Sequence, residues 1–240
     1  MHFNPWMWGM HMNNNLMIYF LIAMIIPLMA QGYLMSTFSR YKRERASSNL
    51  TGYETAKRML ASNGLHHVQI QETAGRLSDH YDPKTRTVRL SPDIYHKSSV
   101  AAVSIAAHEV GHAIQHANNY GPLKLRSALV PVVNIANRLG FVAILIGIIL
   151  EAFVIAEIGI IMIAALFIFQ LITLPVEFNA SSRALTAMNE MNLLYDNNEI
   201  RGARKVLTAA ALTYVAALIV SLMELLRWMA ILNNSRGRRR

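Results

Sequence analysis

Residues 107–113 read Ala107-His108-Glu109-Val110-Gly111-His112-Ala113, inside a stretch with small residues at its start and Asn118-Asn119 and Gly121-Pro122 at its end. That punctuation predicts a helix over 98–119. On a helix, His108 and His112 stand one turn apart, about 6 Å along the axis, and point the same way. Two imidazoles so placed can bind one zinc ion, and the adjacent Glu109 can serve as general base toward a water. The chain has no cysteine, so a transition metal has only His and carboxylates to draw on.

A third ligand has to come from elsewhere. His116 lies eight residues past His108, about 12 Å of helical rise, too far to share a metal whose ligand bonds are about 2 Å. The extended metzincin pattern needs Gly and His where this chain has Gln115 and Asn118, which excludes that subclass. Downstream, residues 129–150 and 158–175 are apolar runs separated only by 151–157, which predicts a tight helical hairpin crossing a membrane twice over 129–175. Glu177, in Leu174-Pro175-Val176-Glu177-Phe178-Asn179-Ala180-Ser181, emerges where that hairpin returns to the side of the 98–119 helix. Its carboxylate there completes a His, His, Glu set with an open water position; the competing reading is a surface acid at a helix start.

The rest of the chain fits a membrane protein. Apolar residues make up 53% of it and are clustered. Residues 16–38 carry no charge and are long enough to cross a bilayer. No Lys or Arg precedes them and no clean cleavage site follows, so they read as a retained anchor and not as a signal peptide. Arg40, Lys42, Arg43 and Arg45 mark the cytoplasmic exit and put the N-terminus outside. Residues 46–64 predict a short helix ending at Asn63-Gly64. Alternation from Val68 to Leu90 predicts a small sheet, with Asp82-Pro83-Lys84 turning a hairpin. Residues 87–91 are open to two readings, an edge strand able to pair with a substrate backbone or a strand that simply closes the small sheet. Residues 176–205 form a third-ligand segment and helix, 206–232 a last membrane helix and 233–240 a basic tail. The expected fold is thus an α-helical integral membrane protein of about four transmembrane helices, with a small α+β, zincin-like catalytic part at 39–128.

The net charge of +9 and pI near 10 belong to residues flanking apolar runs. No basic stripe interleaved with aromatics appears, so nucleic acid is not an expected partner; the lipid bilayer is. Four crossings place Arg236, Arg238, Arg239 and Arg240 outside, against the positive-inside tendency, but 14 Lys and Arg between residues 39 and 138 outweigh the tail. His2, Met7, Met10, His11 and Met12 raise copper, yet Trp6 and Trp8 beside them fit better as interfacial anchors. Glu151 and Glu157 are expected in the outer turn of the hairpin, and Glu224 with Arg227 either pair or face water.

The anchor, the short helix and hairpin, His108-Glu109-Val110-Gly111-His112-Ala113-Ile114-Gln115-His116, the membrane hairpin and Leu174-Pro175-Val176-Glu177-Phe178 follow one another in an order that resembles the YugP-type membrane zinc metallopeptidases of bacteria. The resemblance covers nearly the whole chain. The later block is also similar to the E-F-x-A-D block of the broader HtpX-like membrane proteases, whose Glu is a zinc ligand, and this implies Glu177. Ser181 replaces the Asp of that block, so hydrogen-bond support for a zinc histidine is expected from Asn179 or Ser181.

The implied activity is hydrolysis of a peptide or membrane-protein substrate by a zinc-activated water, with Glu109 as general base, at the cytoplasmic face of a bacterial cell membrane. Arg183, His80, Tyr81 and Tyr95 are candidate donors to the oxyanion. A membrane scaffold or chaperone-like adaptor with a structural metal site is the alternative, and the intact His108, Glu109 and His112 argue against it. Site-2-type intramembrane proteolysis pairs its motif with a later Asp-Gly, which is absent from this sequence. No motif specifies an oligomeric state.

Overall fold

The computed structural model describes residues 14–237; His2, Trp6, Met7, Trp8, Met10, His11, Met12, Arg238, Arg239 and Arg240 lie outside the described residues. In chain order the elements are α1 (Asn14–Tyr41), α2 (Gly52–Ser62), β1 (Gln69–Glu72), β2 (His80–Asp82), β3 (Thr87–Leu90), α3 (Pro92–Tyr95), α4 (Val100–Ala117), α5 (Gly121–Ile149), α6 (Phe153–Glu190) and α7 (Asn197–Gly237). Among the described residues four helices, α1, α5, α6 and α7, are long and apolar enough to cross a membrane. They expose Phe20, Leu28, Phe141, Ile149, Val154 and Ile161, a girdle of large apolar side chains suited to lipid and costly in water.

Small residues let the membrane hairpin close. A Cβ on Gly147 would stand 2.4 Å from the Ala156 backbone nitrogen, and one on Gly159 would stand 2.7 Å from the Gly140 carbonyl. This is the close approach by which membrane helices associate where lipid removes the hydrophobic drive. At the far end, Arg236 of α7 pairs with Glu157 of α6 at 2.5 Å, so α7 runs back to the outer turn of the hairpin. The Glu224–Arg227 pair also forms, at 2.6 Å. A bond from the Tyr19 hydroxyl to the Met223 carbonyl ties α1 to α7.

The two helices of the hairpin run beyond the 129–175 read from sequence as membrane-crossing. α5 starts at Gly121, and α6 continues unbroken to Glu190. Pro175, which reads as a stop, is accommodated inside α6; a proline removes one ladder bond, a loss that packing against neighbouring helices offsets. Glu177 therefore sits mid-helix and not at a helix start.

Outside the membrane span, α2 begins on a capping box in which Thr51 and Glu54 each bond the other's backbone nitrogen, satisfying two otherwise orphaned donors. The β2–β3 turn is held by Asp82, which accepts from Lys84 N, Thr85 and Arg89. These bonds, with Thr85 the strongest contributor, hold its carboxyl at about 2. The strand order is β1-β3-β2, with β1 parallel and β2 antiparallel to β3. Of the two readings of 87–91, this excludes the edge: β3 is the central strand, and Thr87, Val88 and Leu90 are buried. A partner that is not adjacent in sequence leaves no local mark on a strand's pattern. The free edges of the sheet belong to β1 and β2.

One core joins the two halves. Phe38 and Tyr41 of α1, Met59 of α2, Leu90 of β3, Val103 of α4, Met188 of α6 and Leu207 of α7 are buried in a single cluster. The ends of the membrane helices thus pack into the same interior as the sheet and α4.

Candidate metal centre

Helix α4 is fixed before it meets any metal. Ser99 caps it by accepting from Ala102 N at 3.2 Å, and nearly all its residues from Val100 to Gln115 are buried. It crosses α6 at Gly111, where an added Cβ would lie 2.7 Å from the Ala180 carbonyl oxygen. Only glycine between the two histidines allows that approach, and the approach carries Glu177 to them.

His108, His112 and Glu177 each offer a ligand atom, and these atoms lie within 4.8 Å of one another. Glu177 Oε2 is 3.3 Å from His108 Nε2 and 3.5 Å from His112 Nε2. Tetrahedral zinc with bonds of about 2.0–2.1 Å sets its donor atoms about 3.3–3.4 Å apart. The donor set, and the spacing of the carboxylate from each histidine, therefore fit zinc. The two rings meet edge to face with centroids 4.7 Å apart. Glu177 is 1% exposed, and Arg126 of α5 approaches its other oxygen at 3.5 Å.

Both imidazoles are oriented through Nδ1. Gln115 Nε2 donates to the Val176 carbonyl at 2.8 Å and to Asn179 Oδ1 at 3.0 Å, which fixes the amide so that its oxygen faces His112 Nδ1 at 3.0 Å. That oxygen only accepts, so His112 carries its proton on Nδ1 and leaves Nε2 free for a metal. Ser181 Oγ stands 3.2 Å from His108 Nδ1, taking the place that the sequence offered to Asn179 or Ser181; Asn179 acts one step removed, through Gln115. Gln115→Ala is expected to lower zinc affinity about 10–100-fold, checked by competitive chelator titration. Wild-type affinity in that variant would separate the glutamine from the site.

Two cavities, each of about 230 Å³, meet at this point, and Asp79, His108, Glu109 and Tyr214 line both. One, the more polar of the two, is also lined by His80, Tyr81, Arg126 and Glu177, beside Pro83, Leu123 and Val130. Of the oxyanion candidates, His80 and Tyr81 are here, and the Tyr81 hydroxyl lies 2.9 Å from His116 Nδ1. Arg183 instead donates to Asn179 and lines a separate polar hollow with Asn63 and Glu190, while Tyr95 stacks on Tyr53 at 5.0 Å. His116 is outside the three-residue cluster.

Sequence reasoning missed Asp79, Gln115, Arg126 and Tyr214. Gln115 had a signal, three residues past His112 on the same helix face. The others come from three separate elements and had none. Asp79 accepts from the backbone and hydroxyl of Ser91, and burial, with the nearby Glu109 charge acting in the same direction, pushes its carboxyl up.

Residues 16–233 match a family described as "Putative neutral zinc metallopeptidase". The chain is 48% identical over 222 residues to "Putative membrane protease YugP" of Bacillus subtilis (strain 168), covering 92% of this chain and 98% of that protein. No solved structure matches. The expected YugP-type kinship is borne out, and the chain belongs to this family of membrane-associated zinc metallopeptidases.

Proposed function

We propose that the protein is a zinc-dependent endopeptidase working at the cytoplasmic face of a bacterial cell membrane on peptide or membrane-protein substrates, with His108, His112 and Glu177 as the metal ligands. The observation that carries this reading is the convergence of two histidines and one carboxylate, whose Oε2 stands at tetrahedral spacing from both Nε2 atoms, with Glu109 facing both cavities beside them.

Zinc, when bound, supplies a Lewis acid that acidifies water and polarises a carbonyl. Glu109 takes the proton from the attacking water and returns it to the leaving amine, so the peptide C–N bond breaks with no covalent enzyme intermediate. Gln115 and Ser181 keep Nε2 of each histidine turned toward the site. His80, Tyr81, Arg126 and Tyr214 line the cleft, which makes them the candidate donors to a developing oxyanion. The free edge of β2 runs into the same cavity through His80 and Tyr81, and takes over the substrate-pairing role first assigned to 87–91. We read the sheet packed beside α4 as a reduced zincin-like arrangement.

Arg40, Lys42, Arg43 and Arg45 at the end of α1 support the cytoplasmic placement. The test is metal analysis of the purified full chain together with cleavage of a casein-type substrate. About one zinc per chain and chelator-sensitive cleavage are expected; a zinc-loaded protein that cleaves nothing would overturn the reading.

A further inference from the structure

The second cavity at Glu109 differs in chemistry from the first. It lies between α1, α4 and α7, and its walls beyond the shared residues are Leu34, Leu77, Ile105, Val206, Leu207 and Ala210, with Thr213 the one polar addition. At about 230 Å³ it holds several times the space of one water, whose share of liquid is about 30 Å³. It is a half-open cleft, so a chain can enter it from outside. This one opens on the base and on one ligand histidine, and it has the volume and lining to take one leucine- or phenylalanine-sized side chain.

We infer that this cavity is a substrate subsite that receives an apolar side chain next to the scissile bond, so that the enzyme cuts beside large apolar residues. The inference rests on the peptidase reading and names the substrate class of that site. A chain running extended from the polar cavity past Glu109 places one residue's side chain in the apolar cavity while its backbone stays among His80, Arg126 and Tyr214. Asp79 and Glu109 at the mouth repel an acidic side chain, so Asp and Glu are rejected at the same position. Two of the walls come from membrane-crossing helices, and the residues this subsite selects are those found where a membrane segment meets the surface.

Ala210 sits on the wall, where a larger side chain would fill the space, and Leu34 sits where a smaller one would enlarge it. The experiment uses the zinc-loaded full chain in detergent and quenched-fluorescence peptides varied at the two residues flanking the cut, with products identified by mass spectrometry. Wild type is expected to favour Leu or Phe over Ala and Asp at one of those positions. Each methylene accommodated or excluded changes kcat/KM by about 10–200-fold. Ala210→Leu should therefore lower the Phe-to-Ala ratio of kcat/KM about tenfold or more, and Leu34→Ala should raise it. Because the ratio is taken within one preparation, loss of folded protein cancels. A ratio unmoved in both variants, or no apolar preference in wild type, overturns the subsite alone. A wild-type protein that cleaves no peptide overturns the peptidase reading and the subsite with it.

Discussion

Glu109→Gln is expected to reduce peptide cleavage at least about 100-fold while the protein keeps its zinc. Gln has nearly the shape of Glu and leaves the buried face of α4 undisturbed, and position 109 is not among the three residues whose donor atoms converge. What the change removes is a carboxylate able to take a proton from water and hand it to the leaving amine. The measurement pairs turnover of a casein-type substrate with zinc content on the same sample. Retained zinc with cleavage close to wild type would sink the assignment of Glu109 as base. The same pair of measurements separates a peptidase from a scaffold with a structural metal, since a scaffold has no turnover to lose.

Glu177→Gln is expected to weaken zinc binding by more than the roughly 10–100-fold that loss of a supporting hydrogen-bond partner costs, because it turns an anionic ligand into a neutral amide. The loss is compounded by burial: Glu177 is 1% exposed and faces Arg126 at 3.5 Å, so the variant leaves a cation without its carboxylate. Glu151→Gln and Glu157→Gln at the outer turn should keep wild-type affinity, as should His116→Ala, whose ring is engaged with Tyr81. Chelator competition decides the matter. Wild-type affinity in Glu177→Gln would require a different third ligand.

What could be read from the sequence was whatever local spacing encodes. One helical turn between His108 and His112, the small residues around them, the Asp82-Pro83-Lys84 turn and four long apolar runs each have a periodic or compositional mark. The placement of Glu177 near the histidines followed from counting crossings, and the structure brings the three together. What escaped has no local mark. Residues 69–72 lie parallel to 87–90 across the sheet, a pairing set by how the strands pack and not by either strand's alternation. Pro175 is an ambiguous signal, since the same residue ends a helix in water and is tolerated in one flanked by partners. Asp79, Arg126 and Tyr214 meet only because the loop before β2, α5 and α7 surround α4.

The unbroken run of α6 makes the helix a depth gauge. Twenty residues separate Glu157, paired with Arg236 at the far end, from Glu177, and at 1.5 Å per residue this is about 30 Å, the thickness of a bilayer's hydrocarbon core. A rod of that length reaches from one boundary of the hydrocarbon core to the other, so the Glu157–Arg236 pair and the three converging donors stand at opposite ends of one span. Bilayer thickness then becomes a variable of the reaction: in a thicker or thinner membrane the rod tilts, and the cleft rises or sinks relative to any substrate tethered in the same sheet of lipid.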